Sequence, residues 1–195
     1  MVAASFSPVI RKVDLRGATH VLGQAENLFS PVSIDTYYFV PKNATALKPG
    51  IRAGYAAFSE DGANVLRGSA SSNINTFVGF ALAKGLNEGD PGTNPYTSTM
   101  GSPVDASGIN IPIPVIRQGS VWVKASSAIS KTPATTTYVI YGGSAATDDQ
   151  LGTIYQGTLP ANVTGIDITN YITVRAVETP AGSVNPDVLI ELMQA

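Results

Sequence analysis

The sequence predicts an all-β fold, built as an antiparallel β-barrel or a jelly-roll-like sandwich with an extended N-terminal arm and long loops. Its apolar residues occur in short runs bounded by Gly, Pro, Asn and Asp, which is typical of strands and turns. Helical periodicity is scarce, and strands do not alternate with helices as they do in α/β proteins. A chain of 195 residues is long enough to bury a core without disulfides or metals.

Short runs rich in β-branched and aromatic residues mark the predicted strands. They are 36–40, 51–58, 76–82, 120–124, 135–141, 151–155, 166–168 and 171–177. Gly79 lies inside one of them and predicts a bulge or a close backbone approach. Pro112 and Pro114 interrupt an alternating run and predict an edge strand, because proline cannot donate to a ladder. The segment Val188–Met193 fits either a strand or a short helix, and we favour a strand.

Two stretches differ from this pattern. Residues 1–30 mix apolar and charged side chains, which predicts an N-terminal arm or a first strand. Residues 31–195 are expected to form a single β-barrel or sandwich domain. Within that domain, residues 86–108 are rich in Gly, Pro and Asn and predict a long exposed loop.

Charge and hydropathy exclude several classes of partner. Charged residues make up 13% of the chain, about half the usual share. Lys and Arg number 12 against 14 Asp and Glu, and no basic run occurs, so we expect no nucleic-acid partner. No apolar run approaches the ~20 residues of a membrane span, and no signal peptide is recognisable, so we expect no membrane partner.

The search for catalytic groups predicts no enzyme, no cofactor and no metal site. Cysteine is absent, and His20 is the only histidine, which leaves a partly buried strand histidine as the favoured interpretation. Nucleophile-elbow and phosphate-loop motifs are missing. The clustered carboxylates, such as Asp148 and Asp149, occur at predicted turns, where Asp is favoured for its backbone hydrogen bonds.

Aromatic residues are the best candidates for contacts with a partner. Tyr37 and Phe39 are expected to face opposite to Tyr38. Trp122 is expected to face opposite to Val121 and Val123. Two interpretations stay open. Either both faces of these strands are covered within the chain, or one face is exposed and supplies the Tyr and Trp side chains that anchor interfaces.

The order of several motifs resembles the cement (decoration) proteins of tailed-bacteriophage capsids. In that family a "PG…G" segment precedes an "F-x-G-[IF]-A" strand, and a "V-x-x-x-G-x-V-W-V" strand then precedes a "Y-V" strand. The matching segments here are Lys48–Gly54, Phe77–Leu82, Ile113–Lys124 and Thr137–Ile140. The resemblance covers roughly residues 48–154, a little over half of the chain.

The resemblance implies a β-rich structural protein of the virion, made in the host cytoplasm and bound to the capsid exterior. Such a protein would cement adjacent major capsid protein subunits and associate with itself as a dimer or trimer. Gly79 and Gly119 would set backbone shape, and Trp122 would be a core or contact residue. The residues expected at the interface are Tyr37, Phe39, Tyr96, Trp122, Arg11 and Lys12.

An alternative from the residues alone is a carbohydrate-binding β-sandwich that acts in adhesion. Sugar sites use exposed aromatic rings next to Asp or Asn side chains. Tyr96, Asn94 and Asp90 in the long loop would supply such a site.

Overall fold

The computed structural model describes residues 20, 22–26, 32–39, 51–63, 65, 67, 76–83, 111–132, 135–179 and 182–193. These residues form antiparallel strands joined by turns, with one 3-10 turn at Thr169–Tyr171. The strands are β1 Ala25–Glu26, β2 Ser33–Phe39, β3 Ala56–Phe58, β4 Phe77–Ala81, β5 Ile111–Lys124, β6 Thr137–Gly142, β7 Ile154–Gln156, β8 Thr164–Asp167, β9 Ile172–Glu178 and β10 Asp187–Leu192.

Strand β5 organises the larger of two sheets. It pairs with β2 along its first half and with β10 along its second half. It also pairs with β4 at Val115 and Ile116, and with β1 at Ser120 and Val121. The sheet has seven strands, five of which follow the order β3-β4-β5-β10-β9. The sequence predicted an alternating run before residue 116 and a separate strand at 120–124, and the structure joins them into one strand of 14 residues.

The edge-strand prediction for Pro112 and Pro114 is wrong, because β5 is a central strand. Both prolines oppose β2 residues in the antiparallel ladder. The carbonyl of Pro114 accepts a hydrogen bond from Leu82 N–H at 2.9 Å, so the missing proline N–H groups lie on the β4 side of β5. Since the ladder with β2 uses the intervening residues, the prolines cost it no hydrogen bond.

The prediction for Gly79 is confirmed. Its φ is +134°, and a Cβ atom there would overlap the carbonyl oxygen of Ile116 on β5. The β3–β4 ladder also shifts register between Ala57 and Phe58, opposite this glycine. Gly119, at the middle of β5, has a φ of +118°. Both glycines therefore allow a backbone shape that other residues rarely adopt.

A three-stranded antiparallel sheet, β7-β6-β8, packs on the larger sheet. The main core lies between them and includes Val121, Val123 and Ile190 from the larger sheet and Val139 and Ile166 from the smaller one. A curled antiparallel sheet closed by a second sheet confirms the predicted all-β barrel or sandwich class. The C-terminal segment forms β10, which confirms strand over helix.

Candidate functional site

No catalytic cluster emerges from the part of the chain that the structure describes. Among these residues no group of three or more His, Asp or Glu side chains could hold a metal ion. No described helix is long and apolar enough to cross a membrane. The described residues instead offer two clusters of ion-paired side chains and, separately, one exposed apolar face.

The first cluster surrounds His20 and is termed the His20 cluster. The imidazole stacks on the indole of Trp122, with ring centroids 3.6 Å apart and planes 9° from parallel. Its Nε2 lies 3.0 Å from a carboxylate oxygen of Asp187 on β10, and its Nδ1 lies 3.2 Å from one of Glu178 on β9. Lys124 on β5 donates to the other oxygen of Asp187 at 2.8 Å.

Both ring nitrogens of His20 lie next to carboxylate oxygens. Carboxylate oxygens only accept hydrogen bonds, so both ring nitrogens of His20 must donate if both contacts are hydrogen bonds. Burial alone would raise the pKa of Asp187, but hydrogen bonds and positive charge from His20 and Lys124 outweigh it and lower that pKa. The side chain of His20 is only 1% exposed, and that of Asp187 only 8%. The pairing is thus largely shielded from solvent.

The His20 cluster fastens the start of the described chain to the outer face of the larger sheet. The segment after His20 continues along β5, where Gly23 N–H donates to the Trp122 carbonyl at 2.8 Å. The indole N–H of Trp122 donates to Glu26 at 3.1 Å. The prediction of a buried histidine is confirmed, but His20 lies in a bend before β1 and not in a strand.

The second cluster joins the segments on either side of β3 to the turn between β6 and β7. Arg67, with a side chain only 2% exposed, donates to the carbonyl and the carboxylate of Asp148. Arg52 bonds the carboxylates of Asp148 and Asp149. Both guanidinium groups lie near the ring of Tyr55, at 5.8 Å for Arg52 and 5.4 Å for Arg67. Each of these cations lies within reach of a cation–π contact.

Burial is the largest cause of the pKa shifts of Arg67 and Tyr55 in this second cluster. It lowers the pKa of Arg67, reinforced by the charge of Arg52 and opposed by Asp148. Burial likewise raises the pKa of Tyr55 against the two arginines. The aspartates lie in a turn, as the sequence predicted, but their partners come from more than 80 residues away in the chain. A local pattern carries no signal for such pairs.

An exposed apolar face lies on β2. Val32, just before the strand, is 45% exposed, Ile34 is 48% exposed and Tyr38 is 44% exposed. They share one face because side chains alternate along a strand. We call these three residues the β2 face. On the opposite face of β2, Tyr37 packs into a separate core with Ile113.

The predicted contact residues fall into three groups. Tyr37 is 9% exposed and Trp122 is 5% exposed, so their side chains pack inside this chain because the second core and His20 cover them. Phe39 ends β2, but its side chain is outside the described residues. The remaining three residues, Arg11, Lys12 and Tyr96, lie outside the described residues too.

The residues of the carbohydrate-binding alternative also fall outside the described part of the chain. These are Tyr96, Asn94 and Asp90, together with the whole loop predicted at residues 86–108. The alternative therefore stays a prediction from the sequence.

Comparison with known proteins gives one likeness of fold. No protein-family model matches the sequence, and no curated protein matches it significantly. Among solved structures, the chain is similar to a chain of "The capsid of Myoviridae Phage XM1", with a TM-score of 0.55 and 18% sequence identity. The similarity covers 88% of this chain and 89% of that chain. At this identity it shows a shared fold over nearly the whole length of both.

Proposed function

We propose that this protein is a structural component of a bacteriophage virion that binds the outside of the capsid and cements neighbouring major capsid protein subunits. The observation that carries the proposal is the fold likeness to a chain of a phage capsid, which extends over 88% of this chain. A likeness over 88% of one chain and 89% of the other is more informative than one confined to a single hairpin.

The sequence motifs support the same assignment independently. Three of the four segments that resemble capsid cement proteins fall on β4, β5 and β6, which are interior strands of the two sheets. The two glycines that the resemblance implies as backbone-shape positions, Gly79 and Gly119, both have positive φ. The motifs thus correspond to positions that the fold requires.

The mode of action follows from linkage. A ligand that binds only the assembled lattice stabilises it by RT ln(1 + [L]/Kd), which is about 2.7 kcal/mol at a hundredfold excess over Kd. A protein with few charges has little electrostatic repulsion to overcome when many copies lie close together on a shell. Cementing therefore needs contact area and no catalytic group.

The capsid contacts are assigned to the predicted contact residues that are not packed inside the described fold. Tyr96 in the predicted long loop and Phe39 at the end of β2 are the aromatic candidates, while Tyr37 and Trp122 are buried and have structural roles. Replacing Tyr96 with Ala is expected to weaken capsid binding and leave the melting temperature of the isolated protein unchanged. Replacing Tyr37 with Ala is expected to lower that melting temperature.

The direct test uses purified protein and assembled phage heads stripped of decoration. We expect saturable co-sedimentation at a fixed ratio to the major capsid protein, and a higher melting temperature of the heads by calorimetry. Unassembled capsid subunits are the control and should not bind. Heads that neither bind the protein nor change their melting would refute the proposal.

A further inference from the structure

We propose that the N-terminal segment Val9–Leu15 of one copy adds as an antiparallel strand to the outer edge of β2 in a second copy. The inference rests on the β2 edge and on the side-chain pattern of this segment. It does not depend on capsid binding.

The outer edge of β2 carries backbone groups that point away from β5. Tyr38 directs its N–H and its carbonyl away from β5, where they bond Ala63 and Val65 at 2.8 Å each. By the two-residue repeat of a strand, Ile34 and Thr36 direct their backbone groups to the same side. Within the described residues no backbone partner meets them there. This edge can therefore take up to four further hydrogen bonds, the arrangement used in β-strand addition.

The side chains beside this edge are those of a covered surface. The β2 face consists of three large apolar residues that are each nearly half exposed. Exposed Pro112 of β5 lies directly opposite Tyr38 and extends the apolar area. On the other face of β2, Asp35 is partly exposed and pairs with Arg117 at 3.0 Å. An added strand thus meets apolar side chains on one face and, on the other, a carboxylate that already has one cationic partner and has room for a second.

The segment 9–15, Val-Ile-Arg-Lys-Val-Asp-Leu, fits this requirement in one antiparallel register. When Lys12 is placed opposite Asp35, three of the four apolar residues fall opposite the three members of the β2 face. The pairs are Val9 with Tyr38, Val13 with Ile34, and Leu15 with Val32. Arg11 is the one charged residue on that face, opposite Thr36, whereas a shift by one residue would place both Lys12 and Asp14 there.

The reach of the chain favours a second copy over the same copy. In this register Asp14 lies opposite Ser33, which pairs with Gln118 of β5. His20, by contrast, is fixed beside Asp187, which pairs with Lys124. The six residues from Gln118 to Lys124 rise about 20 Å. The six residues from Asp14 to His20 also reach about 20 Å at full extension, which leaves no length to cross from the strand edge to the outer face.

The chain contains no cysteine, so disulfide trapping is a clean test. Cα atoms of a directly opposed antiparallel pair lie about 4.5–5.5 Å apart, within disulfide range. Oxidising a mixture of Val13→Cys and Ile34→Cys chains is expected to give a disulfide-linked dimer of the two variants. Lys12→Cys mixed with Ile34→Cys is the matched control, since those side chains would face opposite sides. It should give at least tenfold less cross-linked dimer.

A second measurement guards against trapping of chance encounters. Ile34→Asp should lower the mass in sedimentation to that of the monomer, whereas Val184→Asp, at a site 92% exposed elsewhere, should not. The proposal is overturned if Val13→Cys and Ile34→Cys mixtures give no cross-link, or if the protein is monomeric without mutation. It is also overturned if a chain carrying both cysteines forms a disulfide within one monomer, because the segment would then cover its own β2.

Discussion

Replacing His20 with Ala is expected to destabilise the protein by about 3 kcal/mol. The bond to Asp187 is a buried hydrogen bond to a carboxylate, worth roughly 1.5–3 kcal/mol. Stacking on Trp122 adds about 0.5–1.5 kcal/mol. The contact to Glu178 adds little, about 0–0.5 kcal/mol, because that carboxylate is 43% exposed and screened by solvent. The loss stays near the lower end of the combined range because Lys124 still pairs with Asp187.

The assay is urea unfolding at neutral pH, followed by the fluorescence of Trp122 and by circular dichroism. Trp122 is the only tryptophan in the chain and lies against the altered site, so it reports directly on the cluster. A loss of about 3 kcal/mol corresponds to a melting temperature lower by about 6–12 °C for a chain of this size.

Glu178→Gln is the matched control, because it keeps a hydrogen-bond acceptor beside His20 and removes only an exposed charge. We expect it to cost about 0.5 kcal/mol or less. The reasoning would be refuted if His20→Ala cost less than 1 kcal/mol, or if the control variant cost as much.

Three further predictions concern Asp187 in the His20 cluster, Gly79 on β4 and Arg67 in the second cluster. The pKa of Asp187 is lowered in the fold, so its contribution is complete above its unfolded-state value near ~3.9 and is lost as the pH falls through the lowered value. The melting temperature of Asp187→Asn should thus fall short of wild type at pH 7 and approach it at pH 2, and a gap independent of pH would contradict this sign. Gly79→Ala, which places a Cβ on a facing carbonyl, should cost about 3 kcal/mol or more by denaturant unfolding. Gly62→Ala is its control, with positive φ but open space around it, and should cost only about 1–2 kcal/mol; equal losses would exclude the steric explanation. Arg67→Ala should cost about 2–4 kcal/mol in thermal unfolding, well above Arg52→Ala, whose side chain is 25% exposed, and the reverse order would show that burial does not set the cost.

Local sequence patterns were sufficient for most of the strands, although they divided β5 into two runs. The β-branched and aromatic runs at Thr135–Tyr141 and 171–177 predicted β6 and β9 to within a few residues. Gly79 likewise revealed a close backbone approach, because only glycine tolerates it. These features depend on neighbours along the chain.

The edge-strand prediction for Pro112 and Pro114 failed for a physical reason. A proline removes one donor on one side of a strand, and the sequence does not tell which side lacks a ladder. In the fold, the ladder with β2 uses the other side of β5, so a central strand accommodates both prolines.

The sequence by itself determined the all-β class, the spacing of the strands and the scarcity of catalytic groups. Only the tertiary structure decided what His20 and Arg67 do. His20 meets its carboxylates across 158 and 167 residues of chain, and Arg67 meets Asp148 across 81. Such pairs form because strand pairing brings distant segments side by side, and burial then requires each charge to find a partner. Period and propensity describe one segment at a time and carry no record of which segment will lie across from it.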